Sequence, residues 1–149
     1  MRTVLRLPNS GGQITKPGKY LLLLGLAQAL HSMEEIYFHL YDFSVKADMA
    51  LPAIISSIAQ LEMRAEIFAI MNIVIIAAIL AVVPFYEKKR HWAVSAAWIA
   101  ACAEVLNGFY HLTAAMLFAR WFPGALSAPL LLLMGALLLH QLAAERKRN

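Results

Sequence analysis

Charge is scarce in this chain. Of its 149 residues only 15% are Asp, Glu, Lys or Arg, against roughly 25% in ordinary soluble domains. Cysteine is nearly absent. Cys102 stands alone, which excludes an intramolecular disulfide and a thiolate-rich metal site. It lies within "AWIAACAEV" and reads as a small buried hydrophobe. The chain contains no G-x-S-x-G, P-loop, dinucleotide fingerprint or HExxH. Serine-hydrolase, nucleotide and flavin chemistry therefore have no foothold. Internal repeats are also lacking.

Long apolar runs fill the space that charge leaves. Hydrophobic residues make up 61% of the chain. Four stretches reach the ~20 residues needed to cross a bilayer: about Tyr20–Tyr41, Leu61–Phe85, Trp92–Ala119 and Pro123–Ala143. A helical lead-in from Leu51 is compatible with the second. The expected fold is all-α, a bundle of four transmembrane helices. Residues 1–18 read as a cytoplasmic or interfacial tail, 19–145 as the membrane domain and 146–149 as a basic tail. Pro129 falls just inside the fourth span, where it is expected to kink the helix. Small residues at Ala27 and Ala29 mimic a signal-peptide cleavage site, but the helical pattern runs on past them.

The basic residues orient the bundle. Arg2, Arg6, Lys16, Lys19, Lys88, Lys89, Arg90, Arg146, Lys147 and Arg148 all fall on one side of four spans. Lys46 and Arg120 fall on the other. By the positive-inside rule both termini are cytoplasmic. The net charge of +4 thus reflects membrane orientation rather than affinity for nucleic acid.

Ionisable residues nevertheless interrupt the spans, where each costs roughly 2.5–3.5 kcal/mol at a helix centre. The first span holds His31, Glu34, Glu35 and His39; the second holds Glu62, Arg64, Glu66 and Asn72. The third holds Glu104, Asn107 and His111, and the fourth only His140. His31, Glu34 and Glu35 share about 100° of helical arc, and Glu104, Asn107 and His111 share about 60°. Arg64 points away from the Glu62/Glu66 face. Measured from the cytoplasmic ends, His31 to Glu35 lie ~18–24 Å up, Glu104 to His111 ~20–30 Å, and Glu66 ~31 Å. The stripes overlap in the outer half of the membrane and predict one shared site.

His31-x-x-Glu34-Glu35 in "HSMEE" and Asn107-x-x-x-His111 in "NGFYH" carry a resemblance. Together with Glu104, the glutamates of the second span and "FPG" at 122–124, they resemble the HXXEE family from about residue 20 onward. The resemblance implies a small, mostly bacterial, multi-pass membrane protein with a site at its motif residues. It names no substrate.

Histidine, glutamate and asparagine without thiolate suit Zn, Fe, Mn or Ni. A divalent cation would offset the cost of burying several carboxylates. The expected ligands are His31, Glu35 (or Glu34 in its place), Glu104 and His111. Glu34, Glu66 and Asn107 are expected to serve catalysis, with Glu66 as a further ligand or a base. The functional expectation is a metal-dependent membrane enzyme, hydrolase- or isomerase-like, acting on a small or lipid-like substrate in a cell membrane, such as a bacterial inner membrane. The alternatives are a proton- or metal-coupled transporter and a purely structural set of interhelical hydrogen bonds. A homodimer is compatible with the sequence. His39 is expected at the interface, His91 in the basic loop, and His140 and Asn72 in structural roles. Gly25, Gly108 and Gly135 are expected where helices approach closely.

Overall fold

The computed structural model describes residues 14–40, 64–117 and 121–148. These residues form four helices, α1 (Lys16–Tyr37), α2 (Ala65–Glu87), α3 (His91–Leu117) and α4 (Ala128–Arg146), with no strand among them. Glu62, Lys46 and the lead-in from Leu51 lie outside the described residues.

The helix starts follow capping chemistry rather than hydropathy. α1 begins at Lys16, inside the segment expected as a tail, because Thr15 accepts a hydrogen bond from Gly18 N and Pro17 occupies the first turn. α4 begins at Ala128 rather than at Pro123; residues 123–127 form a turn. Pro129 consequently sits in the first turn of α4 and does not kink it, since its missing N–H is not needed there. α1 runs unbroken through Ala27 and Ala29.

α2, α3 and α4 are long and apolar enough to cross a membrane, with mean hydropathy of 2.8, 1.3 and 1.5 over their best windows. α1 has the length, ~33 Å for its turns, but Gln28, His31, Glu34 and Glu35 dilute its leucines. It packs against α2 and α4, α3 packs mainly on α4, and α1 and α3 meet only narrowly across the bundle. Leu21, Leu24, Ile79, Ala97, Leu138 and Leu142 form the apolar core. A Cβ on Gly108 would stand 2.8 Å from Leu132 Cγ, and one on Gly135 2.6 Å from Val105 Cγ2. Both glycines therefore set the close approach of α3 to α4. Cys102 is exposed rather than buried. It shares an outward stripe of α3 with Leu106 and Phe109, because 102, 106 and 109 recur at helical spacing.

The end carrying Lys88, Lys89 and Arg90 is tied by polar contacts. Glu87 accepts from Thr15 N at 3.2 Å and from Thr15 Oγ1 at 2.8 Å. It thereby supplies α1 with an acceptor from another helix. The Tyr86 hydroxyl donates to Glu145 Oε2 at 2.5 Å. Lys89, at φ 53°, closes α2, and its N–H reaches Tyr86 O at 2.8 Å. These contacts fix a tight connection and make α2 antiparallel to both α1 and α3.

Candidate metal centre

The opposite end gathers the last turns of α1 and α3 and the 121–127 turn. Glu34 and Glu35 are neighbours in sequence, yet 100° apart on the helix, so they face different partners. Glu35 faces α3. Its Oε1 lies 3.3 Å from His31 Nε2 and 3.0 Å from His111 Nε2. The two imidazoles meet edge to face, with centroids 4.5 Å apart, and all three side chains are buried. Ligand atoms of His31, Glu35 and His111 lie within 4.8 Å of one another.

Glu34 faces the start of α4. Its carboxylate accepts from Leu126 N (3.0 Å), Ser127 N (2.8 Å) and Ser127 Oγ (2.5 Å). Ser127 has no capping hydrogen bond from its own side chain, so the acid of α1 serves α4 in its place. A carboxylate is favourable there because it meets the positive end of the helix dipole.

These neighbours decide where the histidine protons sit. His111 Nδ1 lies 2.6 Å from Pro123 O. A carbonyl only accepts, so Nδ1 carries the hydrogen. His31 Nδ1 lies 2.8 Å from Ser127 Oγ. The Ser127 hydroxyl spends its one proton on Glu34, so His31 Nδ1 donates to it. Both Nε2 lone pairs are then left pointing toward Glu35 Oε1. Two lone pairs facing one carboxylate oxygen at 3.0 and 3.3 Å are repelled by it unless a positive charge lies among them. His31 Nε2 accordingly has no hydrogen-bond partner among the described residues.

The donor set fits a divalent ion. Ligands ~2.0–2.1 Å from a tetrahedral centre stand about 3.3 Å apart, close to the observed Glu35 contacts. Hydrogen bonds from Nδ1 to a carbonyl and to a carboxylate-bound hydroxyl are the outer contacts that metal-binding histidines use. Gly124 makes room for the pair. Its φ is +87°, and a Cβ there would fall 2.4 Å from His111 Nδ1 and 2.8 Å from His31 Cε1. "FPG" thus has a local explanation: Pro123 offers its carbonyl, and Gly124 lets the turn lie against both rings.

The remaining site residues lie elsewhere. Glu104 is buried, and its Oε2 has no hydrogen-bond partner among the described residues. It stands seven residues before His111, ~10 Å along the axis, and is not part of the three-residue group. Asn107 lies one turn further along α3, on the same side of the helix. Glu66 is not brought to the site. Its side chain is 70% exposed and lies 3.6 Å from Arg64. It sits roughly 120° around α2 from Asn72, the buried residue that faces α1. Asn72 Oδ1 accepts from Ser32 Oγ at 2.8 Å, and Ser32 Oγ accepts from Gln28 Nε2 at 3.2 Å. The structural expectation for Asn72 therefore holds.

Sequence reasoning missed Ser127, the Pro123 carbonyl, Gln28 and Ser32. A signal existed for the first. Ser-Ala-Pro at 127–129 is a helix-start pattern, and it places Ser127 at the cap.

Comparison with known proteins is brief. The family described as "Protein of unknown function with HXXEE motif" matches residues 22–139. No curated protein and no solved structure matches the chain. With that match spanning most of its length, the chain belongs to the HXXEE family.

Proposed function

We propose that the chain is a four-span protein of a cell membrane with both termini cytoplasmic, and that His31, Glu35 and His111 hold a divalent metal ion. The observation that carries this reading is the fixed proton inventory. Two histidines are held as Nδ1–H tautomers, so both Nε2 lone pairs converge with a carboxylate in a buried space. Burying these groups across from one another is costly without a cation. Zn, Fe, Mn and Ni suit the donors.

The reading extends to a metal-dependent enzyme, hydrolase- or isomerase-like, acting on a small or lipid-like substrate. A bound ion would supply Lewis acidity, and three protein ligands leave positions open for a substrate oxygen. Glu104, buried two turns from His111 with an unpartnered oxygen, would exchange a proton with the site through a water rather than directly. Glu34 holds Ser127 and, through it, His31; it is a positioning residue.

Transport is less well supported. The polar ladder of Ser32, Asn72 and Gln28 ends above an apolar core that includes Leu21, Leu24, Ile79, Leu138 and Leu142. No polar path continues through those residues toward the basic end.

Elemental analysis of the detergent-purified protein tests the reading. Wild type is expected to carry about one equivalent of Zn, Fe, Mn or Ni, and His31→Ala and His111→Ala are expected to lose it. Wild type without metal above background, after purification free of chelators, would overturn it. The positive charge among the three groups would then be a proton.

A further inference from the structure

A cavity opens beside the site, between α1 and α4. It measures about 420 Å³. Its apolar walls include Leu30, Met33, Phe38, Leu126 and Leu130, and Glu34, Ser127 and the exposed Tyr37 bring polar groups to it. Met33 and Leu126 are 67% and 71% exposed, so the groove opens outward rather than into the core. The volume falls within the range of small-molecule sites.

The hydrogen bonds of Glu34 describe the head group that would fit. An ionised carboxylate offers roughly four lone-pair positions, two on each oxygen. Oε2 is filled by Ser127 N and Ser127 Oγ. Oε1 accepts only Leu126 N, in a contact on the exposed side. One acceptor position on Oε1 is left, and it belongs to a residue that lines the groove. The occupant therefore brings a hydrogen-bond donor. A carboxylate head brings none and meets Glu34 as a like charge. An ammonium head brings three N–H donors where Oε1 has one position left, so two would go unmet beside Leu30, Met33, Leu126 and Leu130. A hydroxyl donates one proton and carries no charge.

We propose that the groove between α1 and α4 binds a membrane alcohol, its hydrocarbon chain along Leu30, Met33, Leu126 and Leu130 and its hydroxyl donating to Glu34 Oε1. This goes beyond the metal reading and does not depend on it. The groove touches the metal centre through Ser127, whose hydroxyl bridges Glu34 and His31.

The test uses the full chain in phosphatidylcholine nanodiscs, stripped of metal with chelator, and a diazirine-bearing dodecan-1-ol as probe. Saturable labelling is expected in residues 30–38 and 126–130. A hydrogen bond to a charged acceptor is worth about tenfold in affinity. Dodecan-1-ol is therefore expected to compete about tenfold better than dodecane or dodecanoate. Leu130→Trp, which fills the groove, is expected to abolish saturable labelling. Met33→Trp fills it from the exposed rim and replaces Leu130→Trp if that variant fails to fold. Equal competition by dodecane, tighter competition by dodecylamine than by the alcohol, or labelling spread evenly over the outer face of α2, would overturn the proposal. Because no metal is present in the assay, its failure and that of the metal reading are separate results.

Discussion

At the basic end of the bundle, Glu87 of α2 reaches Thr15, the N-cap of α1. At the other end, Glu34 of α1 reaches Leu126 and the N-cap Ser127, just before α4. Each carboxylate supplies acceptors to a helix that is not its own. The ends differ in what lies behind the cap. Behind Glu87 the contacts run through Thr15 to the backbone N–H of Gly18 and end there satisfied, and none of the unpartnered buried side-chain atoms among the described residues lies there. Behind Glu34 the chain of bonds continues through Ser127 to His31 and ends on an unanswered lone pair. Capping across helices is thus a way of closing a bundle at one end and of aiming an imidazole at the other.

Paired substitutions sharpen this contrast. The largest difference is expected between two glycines. Gly124→Ala forces a Cβ into both histidine rings at a positive φ. It is expected to abolish stoichiometric metal and to cost about 1–3 kcal/mol, measured by elemental analysis and thermal unfolding. Gly18→Ala meets Glu87 Oε1, the movable tip of a side chain. It is expected to cost about 1 kcal/mol through the disturbed cap and to leave metal content unchanged. Equal metal loss in both would dissolve the distinction between the ends.

Next come the capping acids. Glu34→Gln and Glu87→Gln each weaken a cap by about 1 kcal/mol. Only Glu34→Gln is expected to lower metal affinity, by about 10–100-fold, as loss of an outer contact to a metal ligand typically does. Competition titration with a metal chelator measures it. Glu66→Gln is expected to leave that affinity at the wild-type value, since its side chain is exposed beside Arg64. An effect on stability alone is expected from Tyr86→Phe, which removes the hydrogen bond to Glu145. It should lower stability by about 1 kcal/mol with no change in metal content.

Much of this was legible in the sequence because hydropathy and helical angle are periodic. Those two quantities located α2 and α3 to within a few residues and brought His31, Glu35 and His111 to one height. They failed where periodicity carries no information. Pro123, Gly124 and Ser127 act through a turn, by a carbonyl, a missing Cβ and a hydroxyl. Glu104 lies on the same stripe as His111, but angle alone does not weigh the two turns that separate them. Glu66 was placed by height when its direction around α2 was the deciding coordinate.

The bond between His31 and Ser127 joins positions 96 residues apart. A ribosome completes α1 long before the turn that holds its histidine exists. During that interval the acids of α1 have neither their imidazole partner on α3 nor the N–H groups of α4. In the four-span reading proposed above, a helix carrying Glu34 and Glu35 is a reluctant traveller into lipid on its own. The last helix to be made therefore relieves the debt of the first, and the site forms only when the whole chain has arrived.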